Sequence, residues 1–204
     1  MICYGSFAHF GILTIATMLT VSPVVATQVS AEVRTHIVLE LLPGRARSDA
    51  AVMLRDSAGE RTIRPGAGFI CVSDFTQPDR LSSTCHHPQL GEQMALAREF
   101  QDLRGEEFRR QVCAEAGRRG IRVPNGAMEI TASLGIAGNG RPDSTMTMYH
   151  LLWVPFETQQ TLGVTNQDPG DGRAWLHHGG TCQAHIMWSE KVRVNGDMTI
   201  AGTR

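Results

Sequence analysis

After its first 26 residues this 204-residue chain has no apolar run long enough to cross a bilayer. Nor does it carry an excess of either charge: 19 Lys plus Arg stand against 20 Asp plus Glu, which gives no electrostatic reason to expect nucleic acid or an anionic membrane as partner. Several spacings that would announce a chemistry are also missing. There is no CxxC pair and no HExxH, so neither a thiolate zinc knuckle nor a helical zinc-protease site is written in the sequence. There is no GxxxxGK[ST], and no GxGxxG follows a strand, which removes the usual phosphate cradles. The segment DPGDGR, 168–173, lacks the ligand ladder and closing Glu of a calcium loop.

What is present begins with FAHFGILTIATMLTVSPVVA, Phe7 to Ala26. This run is short for a bilayer and interrupted by Thr, Ser and Pro, and it reads as a secretory signal peptide occupying residues 1–26. Small residues allow cleavage after Ala26 or after Ala31, and the n-region departs from the usual pattern in lacking Lys and Arg. About 175 residues then remain, a length that suits one domain with a proper core. Four of the five cysteines, Cys71, Cys85, Cys113 and Cys182, lie in the mature part, and an even number in an exported chain favours disulfides. The local pairing Cys71 with Cys85 would close a loop of about 15 residues, worth roughly 3 kcal/mol by chain entropy. Cys113 with Cys182 then follows by elimination, the alternative being a buried free thiol. The expected location is the periplasm or the extracellular space, with no membrane span in the mature chain.

VRTHIVLELL, from Val33, has helical apolar spacing and stops at Pro43-Gly44. Residues 50–56 and 61–74 are β-rich runs separated by a Gly-containing turn, the pattern of an antiparallel hairpin or meander. Residues 74–88, rich in Pro, Ser, Thr and Asp, read as a loop restrained by a disulfide. A helical pair follows, one helix from Gln89 to about Gly105 and another from Glu106 to about Arg119, whose alternating Arg and Glu mark a solvated face. Strands are expected over 127–138, over 145–156 and in the AHIMW portion of 184–188. The fold class is therefore α+β: one domain over 32–190, an antiparallel sheet with the helical pair packed on one side, and a C-terminal tail over 191–204.

Chemistry concentrates where histidine does. CHH at 85–87 and WLHHGGTCQAHIMW at 175–188 put imidazoles beside cysteines, a donor set that suits Zn or Cu. His87, His178 and His185 are the candidate ligands. If 182–188 is one strand, Cys182 and His185 face opposite sides and cannot share an ion. HHGGT looks like an oxyanion-hole stretch, but no GxSxG elbow accompanies it, since Ser133 in ITASLG lacks the first glycine. Trp153, Trp175 and Trp188, with Tyr149 and Phe156, could line an apolar groove or simply fill the core. A binding or accessory module for a small-molecule or metal ligand is the expected function. The alternative is a secreted metal-dependent hydrolase using His87, His178 and His185.

The order of these features, with RPGAGFICVSD, CHHP before the helical pair, VPFETQQTLGV and the closing WLHHGGTCQAHIMW, resembles a set of hypothetical secreted bacterial proteins. The resemblance spans about Thr35 to Trp188 and maps onto Trp175, Leu176 and Ala184 to Met187, and onto Cys85 with His86 or His87. It implies export, brings no activity with it, and leaves His177, His178 and Cys182 particular to this chain.

Overall fold

The computed structural model describes residues 30–77, 80–135, 143–194 and 200–201. The leader, Phe7 to Ala26, lies outside the described residues. The chain is a single α+β domain built on one sheet in the order β2-β1-β3-β4-β5-β6-β8-β7, with β9 paired to β8. Its strands are β1 (Ala51–Asp56), β2 (Gly59–Arg64), β3 (Ile70–Asp74), β4 (Arg80–His86), β5 (Met128–Gly135), β6 (Thr145–Trp153), β7 (Trp175–His177), β8 (His185–Val194) and β9 (Ile200–Ala201). Every pairing is antiparallel except β1 with β3. That parallel pair is possible because β2 turns back outside β1, and the connector from β2 then crosses to the other side of β1. Gly66 makes the crossing fit: a Cβ there would stand 2.4 Å from the Asp49 carbonyl oxygen.

Helix α1 (Ala31–Glu40) begins at Ser30, whose hydroxyl accepts from the Val33 amide at 3.2 Å. Cleavage after Ala26 keeps this cap; cleavage after Ala31 removes it. The helix lies across β1, β3 and β4 and seals one face of the sheet. Ile37 and Val38 meet Val52, Leu54, Cys71, Leu81, Cys85 and the inward residues of β5 and β6 there, forming the main core. Arg34, with Ser73 and Ser83, is polar on this face: its guanidinium donates to the Arg55 and Ser73 carbonyls at 2.6 and 2.8 Å, and Asp56 stands 3.6 Å away. A one-turn helix α2 (Gly44–Arg47) leads from α1 to β1.

The opposite face carries the alternate residues of the same strands, Val72 and Asp74 of β3, Ser82, Thr84 and His86 of β4, and Glu129 of β5. Over it stand α3 (Gly91–Glu99) and α4 (Gly105–Arg119), the expected helical pair. The two helices pack on each other through Leu96, Val112 and Ala116, and Gly120 ends α4 in the left-handed conformation at φ 69°. Cys113 of α4 is bonded to Cys182, just before β8, while Leu90 and Met94 rest against Trp153 and Ala127. A last one-turn helix, α5 (Gln159–Leu162), lies in the excursion between β6 and β7.

Two expectations change. The segment 74–88 is not a loop, because β4 occupies Arg80–His86 and pairs with β3 and β5 along its length. Its polar letters hide the strand: Leu81, Ser83 and Cys85 turn toward α1, and Ser82, Thr84 and His86 turn toward the helical pair. The sheet also continues beyond residue 190, since β8 runs to Val194 and β9 returns against it. Among the described residues, no helix is long and apolar enough to cross a membrane.

Both disulfides are formed, Cys71–Cys85 across the β3–β4 pair and Cys113–Cys182 over a separation of 69 residues. Closing the longer loop is worth about 4 kcal/mol in the chain-entropy model. Replacing Cys113 and Cys182 together by Ser is therefore expected to lower the unfolding free energy by about that amount, read from urea denaturation without reductant.

Candidate functional site

Between the helical pair and the sheet a cavity of about 460 Å³ opens. Its roof is Met94, Ala97 and Arg98 of α3, the 101–105 turn and Phe108 of α4. Its floor is the polar face of β1, β3, β4 and β5, from Arg55 and Asp74 to His86 and Glu129. Arg55 is already committed, donating to Glu60 and, at 3.2 Å, to Asp74. Arg98, exposed at the rim, makes no ion pair among the described residues.

Two titratable groups lie side by side on the floor. His86 and Glu129 are direct partners in the β4–β5 register and are only 4% and 9% exposed. Neighbours of this kind hold their Cβ atoms about 5 Å apart on one face. Glu129 accepts from the Trp153 indole N–H at 3.0 Å through Oε2. Its other oxygen has no hydrogen-bond partner among the described residues, and the side chain lines the cavity. Burial pushes this carboxyl up to about 7, with the indole N–H pulling weakly the other way. His86 Nδ1 stands 3.2 Å from the His87 carbonyl oxygen, which can only accept. The proton therefore sits on Nδ1, and Nε2 keeps its lone pair. Burial holds the His86 imidazole below its usual range, with Arg98 acting in the same direction and the hydrogen bond to His87 opposing it. Near neutral pH the floor thus offers a carboxyl that burial inclines to keep its proton beside an imidazole that burial inclines to stay neutral, a pair able to donate and to accept.

Trp153 links this floor to a second cluster. Its ring lies 5.4 Å from that of His185, its partner on β8, and His185 pairs in turn with His177 on β7. His185 Nδ1 is 2.8 Å from the Gln183 carbonyl, and His185 Nε2 is 3.2 Å from His177 Nδ1. The ring of His178 stacks on His177 at 3.5 Å and lies 5.6 Å from His185. His178 takes φ 55°, unusual for a residue other than glycine, in a turn closed by the Thr181 amide and hydroxyl on its carbonyl. Burial lowers all three imidazoles, His185 to about 4 and His178 to about 3, with Arg109 of α4 contributing at His177 and His178.

Of the three imidazoles expected to converge, the structure brings together His178 and His185, and their third neighbour is His177. His87 is used elsewhere: its Nδ1 accepts from the Gln89 amide at 3.3 Å, capping the turn Pro88–Leu90, and its ring meets Phe69 edge-on. Among the described residues, no group of three or more His, Cys, Asp or Glu side chains is placed to hold a metal ion together. Cys182 is in a disulfide and is no ligand. Trp153 and Trp175 are buried, Trp188 stacks on His150 at 5.1 Å, and no aromatic groove is built from them. Glu129 was not foreseen; the only signal was a carboxylate between Met128 and Ile130 in a run otherwise apolar or small. In comparisons with family models, curated proteins and solved structures, the chain matches none.

The raised Glu129 carboxyl makes a pH prediction. The folded state keeps a proton that the unfolded chain has already released, so stability falls as pH rises from the ordinary 4.5 to about 7 and levels above it. Glu129→Gln escapes this, and its stability relative to wild type should climb over that window by up to ~3 kcal/mol, read from urea denaturation at pH 4.5 and 8. The lowered histidines work oppositely in wild type and variant alike, weakening both as pH falls below 6.5, and cancel in the difference.

Proposed function

We propose that this is an exported binding protein of the periplasm or extracellular space, holding a small molecule between the helical pair and the sheet. The observation that carries the reading is the His86–Glu129 pair, buried yet lining a cavity whose roof presents the apolar side chains Met94, Ala97, Leu103 and Phe108. A carboxyl and an imidazole are costly to desolvate, and a ligand that completes their hydrogen bonds recovers what burial loses. The ligand class that fits has an apolar body against Met94, Ala97 and Phe108, and a hydroxyl or amide head on Glu129 and His86. Two disulfides support an oxidising compartment, in line with the secretory leader read from the sequence. The alternative of a hydrolase built on His87, His178 and His185 has less support, because His87 caps a turn and faces Phe69.

The test fills the cavity without touching its polar floor. Titration with the apolar dye 1-anilinonaphthalene-8-sulfonate should show one saturable site in the wild-type protein. Ala97→Trp, on the half-buried roof, should weaken that site at least tenfold while leaving the melting temperature within a few degrees. Equal dye binding by both proteins would place the dye elsewhere and sink the reading.

A further inference from the structure

We propose that His177 and His185 form a two-imidazole clip for one borderline divalent ion, Cu²⁺ or Zn²⁺, distinct from the ligand cavity. The clip is built by the sheet. His177 and His185 are direct cross-strand partners, so their rings leave adjacent strands on one face and converge without any loop having to move. Their facing nitrogens, Nδ1 of His177 and Nε2 of His185, are 3.2 Å apart. Two imidazole nitrogens bound tetrahedrally to one ion at about 2.0–2.1 Å stand about 3.3 Å from each other, so the pair already has the bite of a chelate.

The surroundings set the right protonation state. The Gln183 carbonyl accepts from His185 Nδ1–H, which fixes that ring with its lone pair on Nε2, the arrangement usual behind a metal-binding histidine. His177 Nδ1 carries the proton of the present hydrogen bond to His185. When an ion binds, that proton moves to Nε2 of the same ring, so a neutral pair takes the metal with no net proton released. The charged and titratable groups facing the clip are few: His178 stacked on His177, and Arg109 of α4, whose positive charge keeps affinity moderate. The remaining positions of the ion go to water, in keeping with the lack of a third protein ligand among the described residues. By the usual order of stabilities Cu²⁺ binds more tightly than Zn²⁺.

The experiment uses the disulfide-intact protein stripped with chelator and titrated with Cu²⁺ near pH 7.5, and with Zn²⁺ against a chromophoric chelator. One equivalent should bind, with nitrogen hyperfine structure from two imidazoles in the Cu²⁺ electron paramagnetic resonance spectrum. His177→Phe and His185→Gln should each weaken binding at least tenfold, whereas His36→Ala should change it less than twofold. Undiminished binding in both clip variants, or no binding by wild type, overturns the proposal. Because His185 is buried and its replacement could disturb folding, imidazole ¹⁵N resonances of wild type give an independent reading. Zn²⁺ should shift His177 Nδ1 and His185 Nε2 together, and shifts confined to other histidines overturn the clip. Dye binding in the cavity can succeed or fail without altering either result.

Discussion

The bond between Cys113 and Cys182 is the constraint on which the upper layer of this protein depends. Helices α3 and α4 share a small apolar seam, Leu96, Val112 and Ala116, that joins them to each other rather than to the sheet. At one end Leu90 and Met94 rest on Trp153 and Ala127; at the other the disulfide fastens α4 to the turn before β8. Over β1, β3 and β4 the roof stands off a floor that is mostly polar, Val72 apart, and that offers little hydrophobic attraction to draw it down. The cavity is thus a consequence of where apolar side chains were left out. Across the sheet, α1 lies directly on a largely apolar surface.

The same strands produce both outcomes. Along β4, Leu81 and Cys85 serve the core while Thr84 and His86 serve the cavity, and along β5 the division is Ile130 and Leu134 against Glu129. Period-two alternation normally separates protein from water. Here it separates a dry interior from a half-dry one, where ionisable groups are shielded enough to lose their usual charge and open enough to meet a ligand. Trp153 belongs to both sites, donating to Glu129 and lying against His185.

Much of the architecture was legible in the sequence because it was written in apolar periodicity and punctuation. The first helix, the helical pair and the strand at 145–153 all announce themselves that way, and the even cysteine count pointed to both disulfides. The strand β4 was not legible because a strand facing a polar cavity has the composition of a loop: Ser82, Ser83 and Thr84 carry no apolar signal. The parallel β1–β3 pair escaped for another reason, since a local pattern of strand, turn, strand does not say on which side the third strand lands. Within the histidine-rich stretch, His178 and His185 could be named together only as candidate ligands, and His177 could be placed opposite His185 only by the register of β7 on β8. Glu129 was invisible because its meaning depends on what covers it, a tertiary fact.

The two outer strands of the sheet bear on how the molecule behaves among its own copies. β2 is exposed along nearly its whole length and carries Glu60, Arg61 and Arg64, while β7 is only three residues long. An eight-strand platform with long, uncharged borders would template the addition of further strands from other chains. Here one border is studded with charges that a neighbour would have to desolvate, and the other is divided among β7, the middle of β8 and β9. The charged border on β2 thus makes edge-to-edge growth from that side costly, a constraint on neighbours rather than on the fold.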